Sequence, residues 1–234
     1  MNTIQAAYIN ALLADTAYVE SIGLGDIDVA RFEARLTPAQ ANYLAANFAV
    51  LSSIESPKAL GSGFDAVVWQ GKASTPHAGQ VFVSMRGTQG VQDVNDDVQL
   101  ASTGVPNAQI VDMVNWWLRI SAPIANTDVP QIKYRLDAIV DPLTGVVLDP
   151  AGFALAAQTA TGTGEVSATT SIAAVNGHSL GGYLATAFTR MFGAQAHVQH
   201  TSTFNSAGSS NLEVFRGRLG VCEPSNQSIF RSVA

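Results

Sequence analysis

The 234-residue sequence has one cysteine, Cys222, so no disulfide can close within the chain. Charge is scarce: 13% of residues are Asp, Glu, Lys or Arg, with a net charge of −6. Lys and Arg form no cluster, which argues against a nucleic-acid partner. No apolar run approaches the ~20 residues that a bilayer-spanning helix needs. The first residues, Met1-Asn-Thr-Ile-Gln-Ala-Ala-Tyr8, lack the basic start and unbroken apolar core of a secretory leader. Localisation is therefore open, export without an N-terminal signal included. No internal repeat is visible, and histidine is limited to His77, His178, His197 and His200. What remains is a 47% hydrophobic chain, long enough for one α/β domain with a substantial core over 1–234.

The most informative stretch is Val175-Asn-Gly-His-Ser-Leu-Gly-Gly182. Ser171–Val175 before it is short and apolar, as in a buried strand. After it, Leu184, Ala185, Ala187, Phe188 and Met191 recur at helical spacing. Between them, Gly177-His-Ser-Leu-Gly181 matches G-x-S-x-G, a strand-to-helix turn that projects a serine hydroxyl from a strained backbone. Glycines two before and two after let strand and helix approach. The turn also aims the Leu180 N–H at the place where an oxyanion would form. A glycine-rich turn with a bystander serine is the competing account; flanking strand, flanking helix and Gly182 favour the elbow. His178 is read as a packing residue of the turn.

Elsewhere the pattern predicts an N-terminal amphipathic helix using Ile4, Tyr8, Ala11, Leu12, Asp15 and Val19. A second helix starts at Thr37-Pro38, with Gln40 placed for a capping box, and runs through Tyr43, Leu44, Phe48 and Leu51. Phe64–Gln70 and Gln80–Arg86 read as a hairpin, with His77 exposed in its turn. Asp93, Asp96 and Asp97 are compatible with a structural Ca²⁺ ion; a polar loop and helix start explains them better, because their spacing is not that of an EF-hand loop. Pro106-Asn107 opens a helix carrying Ile110, Val111, Val114, Trp117 and Leu118. Helical spacing would turn one of the adjacent Trp116 and Trp117 off the buried face, toward a lipid-accepting cleft, but ordinary core packing accounts better for the pair. Residues 121–170 are weakly patterned, as in an inserted lid or cleft wall, with a helix over Asp149–Ala157. His197–Asn205 is the next parallel strand, and its histidines fall at the end remote from a ligand site. Asn211–Leu219 reads as one more helix.

These residues together carry a resemblance. Val175–Gly182, upstream Val81-Phe-Val-Ser-Met-Arg-Gly-Thr88 with Asp93 and Asp97, and downstream Thr203-Phe-Asn-Ser-Ala-Gly208 resemble the class 3 lipases of the α/β-hydrolase superfamily, over about residues 64–210. The resemblance implies a mostly parallel central sheet with helices on both faces. It implies Ser179 as nucleophile, with Thr88 and Leu180 forming the oxyanion hole. The activity implied is carboxylic-ester hydrolysis, triacylglycerol lipase-like, without a required cofactor. A phospholipase A1, another serine esterase, a peptidase and an inactive hydrolase-fold binding module are the alternatives. Asn205-Ser206-Ala207 departs from the Gly-Ser-Pro of many relatives.

Chain order in such a fold is Ser, then Asp or Glu, then His. Past Ser179 the nearby acids are Glu213 and Glu223, and no histidine follows His200. The expectation is an N-terminal part of a longer enzyme, whose remaining segment supplies the last strands and the triad acid and base. The fragment by itself is then expected not to turn over esters.

Overall fold

A computed structural model describes residues 3–57, 62–87, 106–149, 151–167 and 169–206. The expected helix at 211–219, Glu213, Glu223, Thr88 and the Asp93, Asp96 and Asp97 group lie outside these residues. The helices are α1 (Thr3–Thr16), α2 (Val29–Phe32), α3 (Pro38–Asn47), α4 (Asn107–Ser121) and α5 (Leu180–Phe192). The strands are β1 (Gly25–Asp26), β2 (Phe48–Ile54), β3 (Ala66–Gly71), β4 (Val81–Met85), β5 (Ile132–Arg135), β6 (Ile139–Val140), β7 (Val147–Asp149), β8 (Gly152–Leu155), β9 (Ile172–His178) and β10 (Thr201–Phe204). Among the described residues no helix is long and apolar enough to cross a membrane.

The fold is α/β. One six-stranded sheet has the order β1-β2-β3-β4-β9-β10. Strands β1 to β4 pair antiparallel, and β4-β9 and β9-β10 pair parallel. The described sheet is thus mixed, where a mostly parallel one was expected, because β2 to β4 are joined by connections without a helix among the described residues, which favour antiparallel neighbours, and β1 adds antiparallel at the edge after α2 and α3 intervene. Helices cover both faces. Side chains alternate across a strand, so Val68, Val83 and Val175 pack with Leu184 and Phe188 of α5 and Trp117 of α4. Val67, Trp69, Phe82 and Ala174 face Leu12 and Leu13 of α1, with Phe32 and Leu44.

Thr37 caps α3 as expected: its hydroxyl accepts from Gln40 N–H, and Gln40 returns a bond to the Thr37 N–H. The helix stops at Asn47 and does not continue through Phe48 and Leu51. Phe48 and Leu51 suit a helical face, yet Phe48, Val50 and Ser52 also alternate, and pairing with β3 selects the period of two. In α1 the buried face is Ile9, Leu12, Leu13 and Thr16, while the expected Ile4 and Tyr8 are exposed. Both Trp116 and Trp117 are buried, so core packing accounts for the pair and neither leaves the buried face. Trp117 meets Phe188 edge-on at 4.8 Å and Trp116 meets Phe64 at 5.7 Å, so α4 is covered on two sides.

Residues 129–149 and 151–160 form a two-stranded ribbon. Val129 bridges Ala160, β5 pairs β8, and β6 pairs β7 around the Asp141–Val146 turn. The helix expected over Asp149–Ala157 is instead part of β7 and β8: alanines favour a helix, but Phe153 pairs with Tyr134 across the ribbon at 5.0 Å, and packing overrides propensity. The ribbon's root is held by Asn115 of α4, whose side chain bonds both the N–H and the C=O of Ile132. Its far end exposes Leu136, Leu143 and Leu148.

Candidate active site

Ser179 sits where β9 gives way to α5, half-buried, with φ 56° and ψ −129°. That backbone region favours glycine, and a serine held there stores strain of ~1–3 kcal/mol. Two backbone hydrogen bonds hold it. Ser179 N–H donates to Phe204 O at 3.0 Å, tying the turn to β10, and Gly182 N–H donates to Ser179 O at 2.9 Å. A Cβ on Gly177 would strike the Gly181 carbonyl, and one on Gly181 would strike the Met85 carbonyl. The two glycines of the pattern are therefore required by close packing of β9, α5 and β4. Leu180 opens α5, so its N–H is among the first helical amides, which have no intrahelical acceptor. Ser179 Oγ has no hydrogen-bond partner among the described residues.

The ends of three parallel strands meet here. Gly87, just past β4, lies so close that an added Cβ would be 3.0 Å from Ser179 Cβ. Past β10, Asn205 has φ 46°, and Ser206 packs against Gly182. Sequence reasoning brought Arg86-Gly87-Thr88 to this edge, and Arg86 and Gly87 are here; Thr88 itself lies outside the described residues.

Two neighbours were missed from sequence. The first is the buried ion pair of Arg86 with Asp65. Asp65 also accepts from Ser56 N–H at 2.5 Å, and Arg86 N–H donates to Asp65 O at 3.0 Å. Burial pushes the Asp65 carboxyl up to about 6, while the Ser56 amide and Arg86 pull the other way. The second is Tyr18, in the turn after α1. Its hydroxyl accepts from Gly87 N–H at 3.0 Å and lies 3.1 Å from His178 Nδ1 and 3.3 Å from His178 O. Burial raises its pKa. No sequence signal marked Tyr18, which is 160 residues from His178 in the chain.

Among the described residues no histidine ring hydrogen-bonds the serine oxygen. His178 is exposed, not packed into the turn; its ring meets Tyr18 edge-on at 5.8 Å. His77 is buried, against the expectation of an exposed loop residue, because its turn folds back onto Phe48 at 4.7 Å. Its Nε2 lies 2.9 Å from the Tyr43 hydroxyl. Burial lowers the His77 pKa, with Gln80 opposing. His197 and His200 precede β10, at the opposite end of that strand from Ser179. Among the described residues no group of three His, Cys, Asp or Glu side chains could hold a metal ion. No protein-family model, no curated protein and no solved structure matches the chain.

Proposed function

We propose that this protein is a serine hydrolase of carboxylic esters with an α/β-hydrolase-type site, acting on lipid esters as a triacylglycerol lipase does. The observation that carries the reading is the backbone of Ser179: a serine kept at φ 56° between a buried strand and a helix, with glycines that nothing larger could replace. Such strain persists where the surroundings over-determine it, and in a strand-to-helix turn of this kind it serves to present the hydroxyl above the sheet edge. In this reading Ser179 Oγ attacks the acyl carbonyl. The negative charge that develops on the carbonyl oxygen is met by the N–H groups of Leu180 and Thr88. Collapse of the tetrahedral adduct expels the alcohol and leaves an acyl-serine, which water then cleaves to the free acid. The proton leaves Ser179 through a general base supplied by residues outside those described.

The intact protein is treated with a fluorophosphonate, which loses fluoride to an activated serine, and the adduct is mapped by peptide mass. The expected adduct is on Ser179, and Ser179→Ala is expected to lower hydrolysis of a p-nitrophenyl ester by about 10³-fold or more. An adduct on another serine, or undiminished hydrolysis, overturns the assignment. An intact protein that neither labels nor hydrolyses any ester favours the inactive binding module, a reading helped by the lack of a described histidine at Ser179 Oγ.

A further inference from the structure

We propose that Tyr18 is a positioning residue for Ser179: its hydroxyl bridges the Gly87 amide past β4 and His178 in the elbow, fixes the gap between the two strand ends, and withholds that amide from the oxyanion. The inference rests on the reading of Ser179 as the nucleophile. A tyrosine hydroxyl has one proton to give and two lone pairs. One lone pair is taken by Gly87 N–H at 3.0 Å. The proton goes to His178, either to Nδ1 at 3.1 Å or to the carbonyl oxygen at 3.3 Å; in the second case the protonated Nδ1 donates back to the free lone pair. Either arrangement satisfies the hydroxyl and joins the residue before the serine to the residue before Thr88.

The rest of Tyr18 is held as a brace is held. The Arg35 guanidinium lies over its ring, 4.6 Å from the centroid, and binds Asp15 at the end of α1 at 2.6 Å. The hydroxyl is thus carried by the frame of α1 and not by the loop it supports. Gly87 is required for the same reason: a Cβ there would sit 2.6 Å from the Tyr18 oxygen and 2.6 Å from His178 O. Chemically, an amide already bonded to a phenol oxygen is not a donor for a substrate oxyanion. Gly87 is packed against Ser179, an added Cβ there falling 3.0 Å from Ser179 Cβ, and engagement of its amide by Tyr18 leaves the two expected donors, Leu180 and Thr88, without a competitor that would draw the carbonyl off line. A displacement of about 1 Å at such a centre can cost about 100-fold in rate.

Tyr18→Phe removes the hydroxyl and keeps the ring, its stack with Arg35 and its edge contact with His178. In the intact protein the expected result is a fall in kcat of about 10- to 100-fold on a soluble p-nitrophenyl ester. KM is expected to stay within about twofold, because substrate binding is not what the hydroxyl serves. The rate of fluorophosphonate labelling at Ser179 falls in step. Hydrogen exchange of the Gly87 amide, protected in the unsubstituted protein, becomes fast in the variant. Unchanged kcat and labelling in Tyr18→Phe overturn the proposal while leaving Ser179 as nucleophile. A rise in KM with kcat preserved overturns it as well. Unsubstituted protein that does not label at Ser179 overturns the underlying reading and the proposal with it. Fast exchange of Gly87 in the unsubstituted protein, a measurement that needs no variant, shows the bridge absent and overturns the proposal alone.

Discussion

Replacing Ser179 by glycine tests the strained turn without reference to chemistry. Ser179 is held at φ 56°, ψ −129°, where a Cβ is disfavoured. The strain is worth ~1–3 kcal/mol, and glycine releases it. Glycine also loses about 0.5–1 kcal/mol more backbone entropy on folding than alanine does. The net expectation for Ser179→Gly relative to Ser179→Ala is therefore a gain of about 0–2.5 kcal/mol in folding stability. Alanine is the proper reference, because it removes the hydroxyl but keeps the Cβ and hence the strain. For a chain of this size a gain of 1 kcal/mol corresponds to about 2–4 °C in melting temperature. Urea titration of the three proteins at neutral pH, with the slope held common, reads the difference as a shift of midpoint. At an ordinary position in a helix or strand the same Ala→Gly exchange destabilises by about 0.5–1 kcal/mol, so the sign is diagnostic. A glycine variant less stable than the alanine variant refutes the strained elbow.

Three further outcomes are expected. Gly181→Ala drives a Cβ into the Met85 carbonyl and against the Arg86 backbone, so it should destabilise by at least the ~1–3 kcal/mol typical of overpacking, read as a lowered urea midpoint; a midpoint unchanged from that of the unsubstituted protein would mean that β4 and α5 are further apart. Asp65 has a folded pKa of about 6, above its unfolded value, so it favours folding below about pH 4 and loses that contribution as pH rises through 6, a change of about 3 kcal/mol. Asp65→Asn should flatten this part of the stability–pH curve, and an unaltered curve would show that Arg86 keeps the carboxylate ionised throughout. His77 acts with the opposite sign: its depressed folded pKa contributes stability above about pH 6.5 that is lost as pH falls through that lowered value. His77→Gln should remove this loss on the acid side, which urea midpoints at several pH values will show.

What could be read from the sequence was local. The elbow was legible because one pentapeptide, its flanking strand and its flanking helix all bear on a single turn; φ 56° at Ser179 and the crowding at Gly177 and Gly181 follow from those residue types. The α3 cap was legible because Thr37 and Gln40 are three residues apart. The Val81–Met85 strand and its hairpin with Ala66–Gly71 were legible from two apolar runs about a turn, but its other neighbour was not, since pairing with β9 depends on residues far along the chain. The end of α3 was misread because Phe48 and Leu51 fit two periodicities, and only the β3 partner decides between them. Asp149–Ala157 was misread because alanines carry a helical preference that the Tyr134–Phe153 pairing overrides. His77 was placed outside because a turn is ordinarily exposed; its burial depends on Tyr43 and Phe48. Tyr18 and Asp65 reach the site through contacts that no spacing rule connects to Ser179.

The switch in strand direction at β4 also divides the sheet by time of assembly. From β1 to β4 the strands pair in chain order and antiparallel, across connections far shorter than the one from β4 to β9. The β4-β9 pairing, by contrast, sets Val83 beside Val175, about ninety residues further along, and closing so long a loop comes with an entropy penalty before any contact repays it. The antiparallel half is therefore expected to be the early-folding scaffold, and β9, α5 and β10 the late arrivals. The serine turn, wedged between β4 and β10, is completed only when that last parallel pairing has formed. A chain released with its first four strands in place would hold Arg86 and Gly87 ready at the strand end while still lacking the serine turn.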